Sequence, residues 1–420
     1  MASTLTKTPL LRSISSRGYA QLAPIGGISN YELKSTTLPN KLVLVSAENE
    51  SPLARVSVIF RAGSRFESVD NLGAAHVVRT AAGLSTRNAS QFAIIRNLQQ
   101  GTRQAVEKVL PFLSEVATEQ VFKPWEIAEL ADRLKLDLAV RPLQLRAVDL
   151  LHKAAFRTGL GNSQFIPKFQ IGKISSETLQ HFVSSTFTSG RAAVIGLGID
   201  NSKLTQFAQG LNLDSSAGIS SVNPYKGGEV RSDKGGEFAF VALAGEGAAL
   251  TNTKEALATA VLQNVLSAGP QVKWSSNDNG VVPRAIGNTD GYSVRGINAS
   301  YSDTGLVGVL LAAPAKSAGK IVEGAVKALK SGNISDADVN RAKNLLKTNL
   351  LLELESGSSA VQSYGTQAVL TGAVRSPADV VSAVDSVTTA DVRNALQKAA
   401  RKLTIASVGN LSEVPYADQL

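Results

Sequence analysis

Two stretches of this sequence follow the same plan, and their agreement limits the possible folds more than any other feature. Residues 174–198, ISSETLQHFVSSTFTSGRAAVIGLG, and residues 387–409, VTTADVRNALQKAARKLTIASVG, each read as a Ser or Thr cap, an amphipathic helix, an apolar strand and a glycine. Further upstream, SVIFRAGSR at 57–65 resembles FVALAGEGA at 240–248. Two halves of similar order predict an internal duplication.

The order of elements within each half predicts the fold class. KLVLVS at 41–46 and ARVSVIFRAGSR at 54–65 read as strands, and long helical patterns follow them. We therefore expect an α+β chain of two homologous halves, each a sheet with helices packed on it. The polar, glycine-rich segment 224–237 is the expected linker between an N-terminal domain at 36–223 and a C-terminal domain at 238–420.

The two halves differ in length. Gly63 and Gly198 are 135 positions apart, whereas the corresponding Gly245 and Gly409 are 164 apart, so the first half is shorter by 29 positions. The second half contains YSVRGINASYSDTGLVGVLLAAP at 292–314, whose alternation predicts a β-hairpin.

The first half has no counterpart of this hairpin near Gln100 and Gly101, where one helical pattern follows another directly. The second-half hairpin is predicted to turn at residues 302–305. Two explanations are open for the difference: a spliced or wrongly predicted version of a longer sequence, and a natural truncation. Losing two central strands should open the first sheet and leave helix faces short of cover, so we expect poor folding without partners.

The N-terminal segment has the composition of a mitochondrial presequence. It carries Lys7, Arg12 and Arg17, is rich in Ser and Thr, and has no acidic residue before Glu32. An ordinary disordered basic tail is the alternative. We expect residues 1–19 to be a presequence that is cleaved after Tyr19.

Composition excludes several classes of function. The chain of 420 residues contains no cysteine and three histidines, which excludes disulfides, iron–sulfur ligation and thiolate zinc sites. The net charge of +9 is not concentrated in a run of five or more basic residues, and aromatic residues make up 5%, so nucleic-acid binding is not expected. No apolar stretch reaches the roughly 18 residues of a transmembrane helix.

Residues 73–80, GAAHVVRT, follow a strand and a loop at the start of a predicted helix. This arrangement resembles the pitrilysin-like M16 peptidases, which place the inverted zinc motif H-x-x-E-H on such a helix and use duplicated α+β halves. In that motif the two histidines share one helix face and bind zinc, and the glutamate activates water.

The departures from that motif predict an inactive site. His76 keeps the first position, but Arg79 replaces the general base and Thr80 replaces the second histidine. A permanent guanidinium cation cannot accept a proton and would repel Zn²⁺. The third ligand of the family is a glutamate on a later helix, and the nearest carboxylate in the corresponding helix, EIAELADRLKLDLAV, is Asp137. We therefore predict no catalytic residues, no metal and no cofactor.

The other two histidines offer no substitute. His152 and His181 have neither a helical partner histidine nor a glutamate at a suitable spacing. For an isolated histidine, a hydrogen-bonded or partly exposed imidazole is the more common role.

Within the M16 family the chain is similar to inactive members, namely the core proteins of the cytochrome bc1 complex (ubiquinol–cytochrome c reductase) and the non-catalytic subunit of the mitochondrial processing peptidase. That peptidase subunit has a long glycine-rich loop, whereas residues 267–291 of this chain lack a continuous glycine run, which favours the core proteins. The stretches that carry this likeness are TKTPLLRSISSRGYA, AGSRFES, GLSTRNAS, KPWEIAEL, FIPKFQIGKISSETLQHFVSSTFTSGRAAVIGLGID, SAGPQVKW, INASYSDTGL and GNLSEVPYADQL.

This resemblance implies a structural subunit on the matrix side of the mitochondrial inner membrane. Its partners would be core protein 1, cytochrome b, cytochrome c1 and the Rieske subunit. The haems and the iron–sulfur cluster would belong to those other subunits, which agrees with a chain that has no cysteine.

Overall fold

A computed structural model describes residues 33–48, 53–98, 106–269, 279–287, 289 and 291–420. The predicted presequence at 1–19 and the junction at Gln100 and Gly101 lie outside these residues. Within the described part, no helix is long and apolar enough to cross a bilayer.

The strands form two separate sheets. The first is a four-stranded sheet with the order β1-β2-β4-β3, and the second is a five-stranded sheet with the order β5-β9-β6-β8-β7. The strands are β1 Leu33–Thr37, β2 Val43–Ala47, β3 Arg55–Phe60, β4 Ala192–Leu197, β5 Glu229–Asp233, β6 Phe238–Glu246, β7 Ser293–Ser300, β8 Gly305–Pro314 and β9 Thr404–Gly409.

Helices pack on both sheets, so the chain has the α+β architecture of two similar halves that the sequence predicts. The helices are α1 Ala74–Thr80, α2 Gln91–Leu98, α3 Val106–Thr118, α4 Pro124–Ala139, α5 Leu143–Phe156, α6 Ser176–Thr186, α7 Asn201–Gly210, α8 Thr253–Leu266, α9 Val281–Ile286, α10 Ala318–Ser331, α11 Asp336–Glu355, α12 Gly357–Thr371, α13 Pro377–Asp385 and α14 Thr389–Ala400.

The helices α6 and α14 begin at the residues that the repeated segments predict. The Ser175 hydroxyl accepts a hydrogen bond from the Thr178 amide at 3.3 Å, and the Thr388 hydroxyl accepts one from the Asp391 amide at 3.2 Å. Each bond satisfies an amide that a helix leaves without an internal partner. The predicted caps are therefore confirmed.

The two sheets share one pattern of strand pairing but differ along one edge. β3 pairs antiparallel with β4, just as β6 pairs antiparallel with β9, and both β4 and β9 follow the capped helices. On its other side β6 pairs with β8 of the predicted hairpin, and β7 lies beyond. No strand among the described residues pairs with the other side of β3. As far as the structure describes the first half, its sheet therefore has no counterpart of the hairpin in the second sheet.

Each half supplies a helix to the sheet of the other half. The buried side chains of α5, including Leu151 and Phe156, pack against strands β6, β8 and β9 of the second sheet. In return, α12 packs Val361 and Tyr364 against strands β2 and β4 of the first sheet. Burial of each side chain of this size contributes about 1.5–3 kcal/mol, so the two halves stabilise each other.

The segment predicted as a linker, 224–237, contributes to the second sheet. Within it, β5 pairs in parallel with β9, from Glu229 opposite Ile405 to Asp233 opposite Gly409. The domain limits at 36–223 and 238–420 remain predictions.

Candidate functional site

The helix α1 that carries His76 begins without a side-chain cap of its own. Gly73 precedes it with φ of +92°, a left-handed conformation that favours glycine. The buried carboxylate of Glu67 instead accepts hydrogen bonds from the amides of Gly73 at 2.9 Å and Ala75 at 2.8 Å. Burial raises the pKa of Glu67, although these two hydrogen bonds act in the opposite direction.

His76 is buried and its two ring nitrogens have different neighbours. Nδ1 accepts a hydrogen bond from the backbone amide of Ile166 at 3.1 Å, and Nε2 lies 3.5 Å from Oδ2 of Asp137. Because Nδ1 is an acceptor, the proton of the neutral imidazole is on Nε2, facing the carboxylate. Burial lowers the pKa of His76, and the charge of Arg79 lowers it further, while Asp137 opposes both.

The two positions at which we predict departures from the zinc motif make other contacts. Arg79 is exposed, and its guanidinium carbon lies 6.0 Å from the centre of the Phe165 ring, which also contacts His76 edge-on at 5.4 Å. The Thr80 hydroxyl donates to the backbone carbonyl of His76 at 2.9 Å, within its own helix. The structure therefore brings Asp137 to His76, leaves Arg79 exposed one turn further along α1, and binds the Thr80 hydroxyl to the helix backbone.

The remaining histidines are separate from this group. His152 on α5 donates from Nδ1 to the Val148 carbonyl at 2.8 Å, and its Nε2 accepts from the Tyr301 hydroxyl at 2.7 Å. His181 is exposed on α6. Among the described residues no three His, Cys, Asp or Glu side chains form a cluster that could hold a metal ion.

A cavity of about 670 Å³ adjoins His76 and lies between the two halves. Its wall combines the end of β3, the first turns after it, α1 and α5 with residues of the second half, among them Tyr301, Ser302 and Val369. Most of the wall is apolar, with Phe60, Phe66 and several other aromatic rings. A pocket of this size and character fits a small organic ligand.

The turn of the second-half hairpin, residues 301–304, is bound to the first half beside this cavity. Arg65 forms an ion pair with Asp303 at 2.7 Å, and Arg61 donates to the Ser302 hydroxyl at 2.8 Å. Burial would raise the pKa of Asp303, but hydrogen bonds from Arg65 and from the Asn223 amide lower it below its ordinary value. The sequence predicts this turn, but it does not predict the contacts of the turn with the first half.

Three residues that shape the site gave no local signal in the sequence. Each of them acts through a contact with another part of the chain. Glu67 binds the amide of Gly73, Ile166 binds the ring of His76, and Tyr301 binds the ring of His152. One indirect signal exists for Glu67: the sequence before α1 has Gly73 where Ser, Thr or Asp usually caps a helix, so the first amides need another acceptor.

Family models match both halves. The model described as Insulinase (Peptidase family M16) matches residues 42–102, and the model described as Peptidase M16 inactive domain matches residues 173–346. A chain of the solved Complex III2 from Candida albicans, with Inz-5 bound, superposes with a TM-score of 0.76 and 16% sequence identity, covering 92% of this chain and 98% of that one. This likeness shows the fold.

Relatives match nearly the whole chain. Cytochrome b-c1 complex subunit 2 of Mus musculus is 36% identical over 99% of this chain and 97% of the relative. The probable mitochondrial-processing peptidase subunit alpha-1 of Arabidopsis thaliana is 28% identical, over 93% of this chain and 84% of the relative.

The alignment with the mouse protein also bears on the missing hairpin. It extends over 446 positions, whereas 99% of this 420-residue chain is about 416 residues, so about 30 aligned positions have no residue from this chain. That number agrees with the 29 positions by which the first half is shorter than the second. By its identity over almost its full length and its M16 domains, the chain belongs to the cytochrome b-c1 complex subunit 2 family, a branch of the M16 peptidase family.

Proposed function

We propose that this chain is a non-catalytic structural subunit of the mitochondrial cytochrome b-c1 complex. The observation that carries the proposal is its 36% identity to mouse cytochrome b-c1 complex subunit 2 over 99% of its length. The role is one of assembly and support for respiratory electron transport, in which the electron-carrying groups belong to other subunits.

The donor set at His76 supports the absence of peptidase activity. A metal-bound histidine normally donates its second ring N–H to an acceptor, whereas Nδ1 of His76 accepts from the Ile166 amide. Binding zinc through Nε2 would then leave both ring nitrogens without a proton, which an imidazole strongly resists. Arg79 lies on the same turn, and the carboxylate that faces Nε2 belongs to an aspartate, Asp137, so the residues do not fit a catalytic zinc ion.

The specific partners that we propose are core protein 1, cytochrome b, cytochrome c1 and the Rieske subunit, with this chain on the matrix side of the inner membrane. The resemblance of the sequence to core proteins supports this assignment. Exposed apolar side chains fit a chain that is buried further in an assembly. They include Phe92, Trp125, Leu136, Val140 and Leu352.

A presequence-binding subunit of a processing peptidase is the second candidate, and the similarity to the Arabidopsis protein favours it. Presequences are basic, however, and the cavity beside α1 is lined by Arg61, Arg65 and Arg79. Repulsion between like charges disfavours a basic peptide at this place. We therefore retain the structural role as the main proposal.

Affinity purification of the tagged chain from mitochondrial membranes in mild detergent tests this choice. We expect core protein 1, cytochrome b and cytochrome c1 in amounts equal to the chain. Recovery of a zinc-bearing processing peptidase subunit in their place would overturn the proposal. Sequencing the N-terminus of the purified chain also tests the predicted cleavage after Tyr19.

A further inference from the structure

The cavity between the halves has a wall that suits an acyl chain. Phe60 and Phe187 stack at 4.1 Å with their planes 12° apart, and Phe182, Val369 and Leu370 also line the space. Its volume of about 670 Å³ lies within the range of pockets that bury small organic ligands. An apolar ligand would gain free energy by leaving water here.

The charged side chains around the cavity are unevenly balanced. The guanidinium groups of Arg61, Arg65 and Arg79 line it, and Arg191 stacks on the lining residue Phe66 at 4.1 Å. Within the described part of the chain, Asp303 is the carboxylate that forms an ion pair with one of these four arginines, namely Arg65, at 2.7 Å. The other three guanidinium groups, those of Arg61, Arg79 and Arg191, therefore form no ion pair with a carboxylate among the described residues.

The electrostatic effect on Arg191 and the pairing of Asp149 agree with an excess of positive charge at the cavity. Burial lowers the pKa of Arg191 to about 10, and the nearby charges of Arg61 and Arg65 contribute to that shift. Asp149 also lines the cavity, but its carboxylate already accepts from Ser163 at 2.8 Å and lies 3.4 Å from Arg141. Asp149 therefore forms its ion pair with Arg141 and not with Arg61 or Arg79.

We propose that this cavity binds a single-chain anionic amphiphile, a fatty-acid carboxylate, with its charged end at Arg79 and Arg61 and its chain against the phenylalanine wall. Arg79 is exposed and lines the cavity, so it lies where the cavity meets solvent and can hold a charged end. Arg61 has a neutral partner, Ser302, at 2.8 Å, and so keeps its charge available. Guanidinium groups bind carboxylates through paired, charge-assisted hydrogen bonds.

Binding to the full purified chain is measured by the fluorescence of 11-(dansylamino)undecanoic acid. Palmitate is the competitor, and methyl palmitate, which has the same chain without a charge, is its control. We expect palmitate to displace the probe at least about tenfold more strongly than the ester, because the ester forms no charge-assisted hydrogen bond. Equal displacement by acid and ester, or no binding of the probe, would overturn the proposal.

Two pairs of variants locate the bound molecule. Arg79→Gln should weaken binding about tenfold, whereas Arg87→Gln should not, since Arg87 is 76% exposed, pairs with Glu119 at 3.3 Å and does not line the cavity.

Leu145→Trp should block the cavity, because Leu145 is half-exposed in the cavity wall. Leu136→Trp should not, because Leu136 is exposed and lies outside the cavity. Circular dichroism checks that each variant is folded. If Arg79→Gln and Leu145→Trp both bind the fatty-acid probe as the parent chain does, the probe does not bind in this cavity.

Discussion

The hydroxyl of Tyr301 lies 2.7 Å from Nε2 of His152, and this hydrogen bond joins the second-half hairpin to helix α5 of the first half. Burial raises the pKa of Tyr301 to about 12 and lowers the pKa of His152. Both side chains are therefore neutral at physiological pH, and each holds the other in one orientation. The bond occurs where the two halves exchange helices, so it contributes to their common stability.

Removing this hydrogen bond should destabilise the whole chain. Tyr301→Phe leaves Nε2 of His152 buried without a donor, and we expect the free energy of unfolding to fall by about 1–3 kcal/mol. Urea denaturation followed by circular dichroism measures this change. Tyr416→Phe is the matched control, because Tyr416 is 55% exposed and should cost little. An equal loss in both variants would show that the His152 contact is not responsible.

The ion pair between Arg65 and Asp303 should give the stability a defined dependence on pH. The pKa of Asp303 is lower in the folded chain than its ordinary value of 3.8, so its stabilising effect is complete above that value and is lost as the pH falls through the folded pKa. Asp303→Asn should therefore be less stable than the parent chain at neutral pH, by about 0.5–1 kcal/mol, because solvent screens this exposed ion pair. The difference should shrink below about pH 4. Denaturation curves between neutral and acidic pH test this, and a difference that does not change with pH would contradict it.

Gly73 should be intolerant of substitution. A Cβ atom at this position would lie 2.7 Å from Cα of Ile166, and the φ of +92° is strained for other residues. We expect Gly73→Ala to cost at least about 2 kcal/mol and to weaken the contact between Ile166 and His76. Gly83→Ala is the control, since nothing lies within 4 Å of a Cβ there. Similar thermal unfolding of the two variants would contradict the close approach of Ile166 to α1.

Much of the fold could be predicted from local patterns in the sequence. The alternation in 292–314 predicts the hairpin β7–β8, and the Ser and Thr caps predict the starts of α6 and α14. These features depend on neighbouring residues, whose spacing is visible in the sequence. The shortened first half was likewise visible as a difference in length between two similar segments.

The exchange of helices between the halves could not be predicted in the same way. The apolar faces of α5 and α12 show that each helix is buried on one side, but they do not show which sheet covers that side. The same holds for the contact of Ile166 with His76, which joins residues 90 positions apart. The prediction that His76, Arg79 and Thr80 are remnants of a metal site rests on residue types alone, whereas the tautomer of His76 depends on this distant amide.

Restoring the motif residues alone should not restore a catalytic zinc site. In the double variant Arg79→Glu with Thr80→His, positions 76 to 80 again carry the H-x-x-E-H pattern. We expect no stoichiometric zinc and no peptidase turnover, because Nδ1 of His76 still accepts from Ile166 and the later helix supplies Asp137 rather than a glutamate. Metal analysis after dialysis and a fluorogenic peptide assay measure both properties. Equimolar zinc with turnover would show that the site is closer to activity than its hydrogen bonds indicate.

We expect this chain to support a respiratory complex without catalysing a reaction. Blue-native electrophoresis of mild-detergent mitochondrial membranes, with and without depletion of the chain, tests this role, and mass spectrometry follows the peptides of the chain. We expect those peptides to migrate with cytochrome b and cytochrome c1, and depletion to lower the amount of the mature complex. Migration of the chain as a soluble pair with a zinc-bearing peptidase subunit, together with an unchanged amount of the mature complex after depletion, would contradict a structural role.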